Sequence, residues 1–517
     1  MSSSAPLLSR PDSSSEHETP SDALPPESLD EMIEWCMGGF RWRQFLQALV
    51  VSAAWFLDGQ QACISDFTDS EPTWHCTSVS NSTCSSSSNV CNLPASQWAW
   101  DSPSYKTIIS EWSLECASSF ITGLPTSCFY MGCLVGGLIF TTLADSTLGR
   151  KNLLTMSCLL MSVAAFATTF STNIWMYSAL RFISGFGRAS IGTCAIVLAT
   201  EMVGKTWRGL IGMIGLFVGT LGLLSLPALA YALRTASWRS LYLTTSLMGI
   251  VYCVLVYFFT SESPKWLIMQ GREFEALAIL QQTISPAKHN SLKLYLSSLE
   301  PNVKQDFSKV GLYSSMKDLL KTQWALCRVL KIMVVGFGVG MMYYGMLLGV
   351  GNLNFNIYLA VTFNGIMIIP SYFVSYFLID RLNRKSTLLC STMLSGVLSI
   401  ICAFVGSQLD SVKLPMELAS FFCVCVAYNV HVIYTIELFP TCVRNSATSM
   451  MRQAIILGVL FDPTLIAAGR SISFLTYLVY GLMIILCGMV VIFLPETRGV
   501  TLSDTMEEDP KKGNANA

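Results

Sequence analysis

The chain has 517 residues, of which 52% are hydrophobic and only 13% are charged. Soluble domains carry about 25% charged residues, so this composition excludes a string of ordinary soluble domains. The net charge of −1 gives no footprint for nucleic-acid binding.

In chain order, residues 1–43 open as a Ser-, Pro- and acid-rich tail and are expected to be disordered in the cytosol. They lack the basic start and apolar stretch of a secretory signal, so the first span must act as the insertion signal. Leu7-Leu8 reads as a sorting dileucine or as two unremarkable leucines. Apolar blocks long enough to cross a ~30 Å hydrocarbon core fall at 44–66, 118–142, 153–170, 174–199, 209–232 and 239–260. A second set falls at 329–350, 354–379, 386–407, 415–437, 448–469 and 472–494. The expected organisation is an all-α membrane protein with twelve spans in two halves, 44–260 and 329–494. A cytosolic loop at 261–328 joins them, and a cytosolic tail follows at 495–517. Short basic loops, Arg150-Lys151, Lys205 with Arg208 and Arg381-Arg384-Lys385, all fall on one side and set that orientation.

The loop 67–117 lies on the other side. It holds Cys76, Cys84, Cys91 and Cys116, which are expected to form two disulfides in one of three pairings. The same loop carries the sequon Asn81-Ser82-Thr83, a glycosylation acceptor. Most other cysteines lie in apolar spans and behave as small hydrophobes.

Two loops reveal an internal repeat. LADSTLGRK (Leu143 to Lys151) follows the second span, and IDRLNRK (Ile379 to Lys385) follows the eighth. EMVGKTWRG ends the fourth span, and ELFPTCVRN ends the tenth. Two six-helix halves repeated in parallel are the organisation of major facilitator transporters. With TLADSTLGRKN, RFISGFGRASIGTC, ATEMVGKTWRG, SESPKWLIMQGR, NLNFNIYL, IYTIELFPTCVRNSA, LPETRG and SEWSLECA, the chain resembles the plant organic cation/carnitine transporter family over roughly residues 30–505. The resemblance implies a major facilitator fold with gating motifs at Asp145, Gly149, Arg150, Glu201 and Arg208, repeated at Asp380, Arg384, Glu437 and Arg444. It departs from the pattern at Thr141 and Asn383, where the family has Gly. One extra residue also separates Asp145 from Gly149. Ile456 stands where animal members carry an acid.

Charges inside spans are costly and should face a cavity or a partner. Asp58 and Arg181 fall at similar depth on helices of opposite direction. The resemblance to proton-coupled sugar carriers implies that Asp58 takes up a proton under the control of Arg181; a static ion pair is the plainer reading. Arg188, among small residues, is read as a fork for a substrate carboxylate or as a partner of backbone carbonyls. Arg452 is expected to snorkel to the headgroups. Asp462, before Pro463, is read as an acid for a cationic headgroup or as a cap at a kink. Tyr343 and Tyr344 match a cavity-lining position of the family and suit a quaternary ammonium. Asn352, Asn354 and Asn356 suggest exposed backbone in a broken helix. Trp55, Phe217, Tyr428 and His431 are weaker candidates.

Ala199, Gly204, Lys205 and Thr206 fit a loose phosphate-loop pattern. They end a membrane helix instead of following a strand, and are read as a decoy. With no nucleophile–base pair and no metal-ligand cluster visible, no enzyme activity, metal or cofactor is expected. The function implied is secondary transport of a small organic cation or zwitterion such as carnitine, coupled to protons, by a monomer. The rivals are a symporter of sugars or other neutral solutes, and a non-transporting receptor or scaffold. The resemblance implies the vacuolar or the plasma membrane, and the vacuole is the expectation taken.

Overall fold

The computed structural model describes residues 34, 42–77, 84, 90–144, 148–282, 317, 319–349, 355–405, 410–471 and 474–499. In the first half the long helices are α1 (Trp42–Cys63), α2 (Ser119–Ala144), α3 (Arg150–Thr168), α4 (Ile174–Arg188), α5 (Ile191–Glu201), α6 (Lys205–Ala232) and α7 (Trp238–Phe259). The second half has α8 (Gln323–Leu348), α9 (Ile357–Arg381), α10 (Arg384–Phe404), α11 (Asp410–Leu438), α12 (Thr441–Val459), α13 (Asp462–Ser471) and α14 (Leu475–Met489). Helices α4 and α5 together make the fourth span, and α12 and α13 the eleventh.

Among the described residues eleven spans are long and apolar enough to cross a membrane. The twelfth is α1, which is less apolar because it carries Gln44, Gln47, Asp58, Gln60 and Gln61. Those amides are turned inward: Gln60 donates to Ser225 Oγ at 2.8 Å and Gln61 to Thr245 Oγ1 at 3.1 Å. A polar group at membrane depth has no water to satisfy it, so these bonds tie α1 to α6 and α7. The twelve-span expectation therefore stands, with ends shifted by a few residues.

Close helix crossings need small residues. Gly59 and Gly222 bring α1 onto α6, and Gly132 and Gly185 bring α2 onto α4. A Cβ on Gly185 would collide with the Phe129 carbonyl. The first half buries Leu153, Leu154, Met161 and Leu198, and the second Val335, Val339, Val424 and Ile484.

The cysteine-bearing segment sits over one end of the first half, here called the disulfide end. Cys76 pairs with Cys84 and Cys91 with Cys116, which selects one of the three connectivities. Strands β1 (Trp74–Cys76) and β2 (Trp98–Trp100) form a small antiparallel ribbon. Glu111 anchors the segment: it accepts from Arg239 Nη1 at 2.7 and 2.6 Å and from Trp238 Nε1 at 2.6 Å. Asn81 lies outside the described residues. Replacing Cys116 with Ser should cost the segment about 2–5 kcal/mol, read by limited proteolysis. Cys84→Ser should cost less, because its loop spans 8 residues against 25.

The two halves meet through α2 against α13 and α9 against α6. Described contacts between them include Gly123 with Pro463, Gly365 with Leu224, and Ser127 Oγ donating to the Leu460 carbonyl at 3.2 Å. All three lie toward the disulfide end; farther along, Gly137 of α2 packs on Gln453 of α12 and Gly192 of α5 comes near Arg452.

Candidate functional site

The centre of the site is an ion pair on α1 and α4. Arg188 Nε donates to Asp58 Oδ1 at 2.8 Å, and Nη2 to Oδ2 at 3.0 Å. This is the bidentate fork that guanidinium geometry favours. The side chains keep 12% and 18% of their surface open, so the pair is partly accessible. Asp58 is therefore held by Arg188 and not by Arg181, which corrects the expected pairing. Arg188 in turn is not a vacant fork in this state.

Arg181 is fully buried, with 0% exposure. Its Nη2 donates to Ser65 Oγ at 2.9 Å, and its guanidinium lies 4.1 Å from the Phe129 ring centroid. Ser65 is seven residues beyond Asp58, and Arg181 is seven before Arg188. The two contacts are thus rungs two turns apart between helices of opposite direction. The acids nearest Arg181 are Asp66 and Asp69, both missed in the sequence reading. Asp69 accepts from Tyr177 Oη at 2.7 Å, Thr68 Oγ1 at 2.8 Å and Thr126 Oγ1 at 3.2 Å. Burial pushes the Asp69 carboxyl above its usual range; Arg181 and these three donors act the other way.

Aromatic rings flank the pair. Tyr344 lies beside Arg188 and meets Tyr130 edge-on at 5.9 Å. Tyr343 stacks on Tyr428 at 4.9 Å. Arg452 reaches toward the first half: its Nη1 is 4.0 Å from where a Cβ on Gly192 would stand, and Trp55 is the other neighbour of that point. It does not snorkel outward as expected. Phe217 is exposed.

Asp462 starts α13 and has 0% exposure. It is sealed off from the central pair, with the Tyr480 hydroxyl as its polar neighbour. That corrects its reading as an open acid for a cation. Ile456 packs against the apolar cluster that holds Phe129, Tyr130, Leu348 and Val459. His431 is buried against Gly336. Asn356 is the N-cap of α9, accepting from the Tyr358 and Leu359 amides. It starts a helix and does not break one; Asn352 and Asn354 lie outside the described residues.

The gating motifs form two matching networks at the opposite end. Gly149 takes φ +82°, a conformation that favours glycine. Beyond it, Glu262 accepts from the Arg150 and Lys151 amides at 3.1 and 3.0 Å. In the second half Glu496 accepts from the Arg384 and Lys385 amides at 2.9 and 3.2 Å. Arg150 faces Glu201 at 3.9 Å, and Arg384 faces Glu437 at 3.1 Å. Arg208 is exposed, and Arg444 Nε donates to the Phe439 carbonyl at 3.4 Å. Asp380 offers its carbonyl to Arg498 Nη2 at 3.2 Å; Asp145 lies outside the described residues. Glu262 and Glu496 were missed as residues, although SESP and LPET carried the signal. Glu262→Ala and Glu496→Ala should each cost about 0.5–2 kcal/mol, as lost helix caps do. Thermal unfolding of the purified protein should show similar losses for both.

The phosphate-loop lookalike is the end of α5 and the start of α6. Gly204 caps α6, and the Lys205 amide donates to the Glu34 carboxylate at 2.9 and 2.7 Å. Among the described residues no group of three side chains is placed to hold a metal ion. A cavity of about 560 Å³, lined by Leu378, Arg381, Leu394 and Arg498 among others, opens on the outer surface of α9–α11, away from the central pair.

Residues 65–508 match the family described as sugar (and other) transporter. Organic cation/carnitine transporter 3 of Arabidopsis thaliana is 51% identical over 99% of this chain and 98% of its own length. The chain belongs to the organic cation/carnitine transporter family. Organic cation/carnitine transporter 2 of the same plant is 49% identical over 96% of each chain. Solute carrier family 22 member 21 of Mus musculus is 31% identical over 80% of this chain and 73% of its own. In fold, this family member is similar to the xylose transporter XylE from E. coli in its inward open conformation, with TM-score 0.63 and 16% identity over 89% and 98% of the two chains. The twelve-span major facilitator fold and the transporter class read from the repeat are thereby established.

Proposed function

We propose that the chain carries a small organic cation or zwitterion, with carnitine as the reference substrate, in symport with protons by alternating access. The names of the plant relatives support the substrate class. The observation that carries the reading is the partly open Asp58–Arg188 pair with tyrosine rings beside it. A zwitterion divides naturally over these groups. Its carboxylate takes the Arg188 fork, and its trimethylammonium group meets the ring of Tyr344, behind which Tyr343 stacks on Tyr428. A proton on Asp58 releases Arg188 for that carboxylate, so proton and substrate favour the same state. Asp58 thus keeps the proton-coupling role, with Arg188 as its partner in place of Arg181.

The test is uptake by purified protein in liposomes, with and without an imposed pH gradient. Labelled carnitine should accumulate against its gradient only when the pH gradient is present, and sugars should not compete. Sugar competition would transfer the reading to a neutral-solute symporter. No movement of any solute would favour a receptor or scaffold. Of the two membranes, the vacuolar one is the reading taken; a fluorescent fusion that labels the plasma membrane would overturn it. A monomer is the proposed unit.

A further inference from the structure

The repeat can be followed below the gating motifs. Arg181 lies twenty residues before Glu201, and Glu417 lies twenty before Glu437. Phe129, whose ring faces Arg181, lies sixteen residues before Asp145, and Asn364 lies sixteen before Asp380. In the second half Asn364 Nδ2 donates to Glu417 Oε1 at 3.2 Å. The arginine–ring contact of α4 and α2 is therefore matched, at equivalent positions of α11 and α9, by an acid–amide contact.

Glu417 is 1% exposed and Asn364 is 0% exposed. The other oxygen of each, Glu417 Oε2 and Asn364 Oδ1, has no hydrogen-bond donor. Two buried acceptors without a donor are costly at membrane depth. The titratable groups facing Glu417 are Cys402 on α10, Tyr477 on α14, and Cys425 on α11 itself. Lys413, one turn earlier, offers its carbonyl to Cys402, and its charged amine also acts on that thiol. The hydrogen bond from Asn364 is the only one that reaches the Glu417 carboxyl among the described residues.

One hydrogen would satisfy both acceptors. A carboxylic acid and a primary amide can join through two hydrogen bonds, each donating once and accepting once. The bond from Nδ2 to Oε1 is in place; a proton on Oε2 supplies the other by donating to Oδ1. We propose that Glu417 and Asn364 form a proton-binding site, occupied in this conformation. A hard metal cation would need several further oxygens, and the nearby Ser395 and Ser420 hydroxyls bond to each other's carbonyls at 2.9 and 2.7 Å. The site stands apart from Asp58 and does not rest on coupling there. It does lie at an inter-half contact, because Gly365, next to Asn364, packs on Leu223 and Leu224 of α6.

The test is infrared difference spectroscopy of full-length protein in liposomes, near neutral pH, in light and heavy water. Subtracting Glu417→Gln from wild type should leave one protonated-carboxyl stretching band that shifts in heavy water. Gln keeps the volume and can maintain both hydrogen bonds, so the variant should fold. Asn364→Leu, which leaves Glu417 in place, should shift the same band and gives a second reading if Glu417→Gln does not fold. The proposal is overturned if Glu417→Gln removes a carboxylate band instead, or if Asn364→Leu leaves the protonated band unmoved. Thermal stabilisation by sodium that disappears in Glu417→Gln would also overturn it, since the occupant would then be a metal ion.

Discussion

Arg188→Ala should abolish carnitine uptake and destabilise the protein by less than the roughly 3–5 kcal/mol of a fully buried pair, because the pair is partly open to solvent. Asp58 would lose both of its bonds to the guanidinium, and among the described residues no other hydrogen bond or ion pair to its carboxylate is present to replace them. Asp58→Asn should behave differently. Asn keeps the shape and removes the charge, so exchange of labelled for unlabelled substrate at equal pH should survive. Accumulation driven by a pH gradient should fall to the level of passive equilibration. The double variant Asp58→Asn/Arg188→Gln should recover most of the stability lost in Arg188→Ala, because no unmatched charge is left. Wild-type accumulation by Asp58→Asn would sink the coupling role.

Gly185→Leu should prevent folding altogether. The position faces the Phe129 carbonyl, with backbone and not a yielding side chain as the obstacle. Separating α2 from α4 would also break the Arg181–Phe129 contact and move Arg188 away from Asp58. Size-exclusion profiles of the detergent-extracted protein would check this: the expected result is aggregate, while Gly209→Ala, which meets open space, should elute as wild type.

Much of this architecture was legible because it is written in local patterns. Apolar length gives the spans, and paired loops give the repeat. The same logic would have found Glu417 from the twenty-residue spacing to Glu437, had the repeat been carried upward into the spans. The partner of Asp58 was not legible. Arg181 and Arg188 are seven residues apart and so lie on one face of the fourth span. Choosing between them needs the vertical offset of α1 against α4, which depends on tertiary packing such as the Gly185 and Gly132 crossing of α4 on α2 and the Gly59 crossing of α1 on α6. Asp462 failed for a similar reason: its burial depends on how α13 turns after the break at Leu460 and Phe461, which composition does not record. The caps Glu262 and Glu496 were visible only as family strings, because a carboxylate more than a hundred residues from the amides it binds leaves no local trace.

Those two caps have a bearing on how the chain is assembled. Glu262 follows the sixth span and closes back on the third; Glu496 follows the twelfth and closes back on the ninth. Each set of six spans is therefore latched by its own last residues, without borrowing from the other set. The latch of the first set is complete once Glu262 has left the ribosome, before any of the second set exists. The segment between them then acts as a leash between two finished bodies. Such a chain lends itself to duplication and to reassembly from separately made halves.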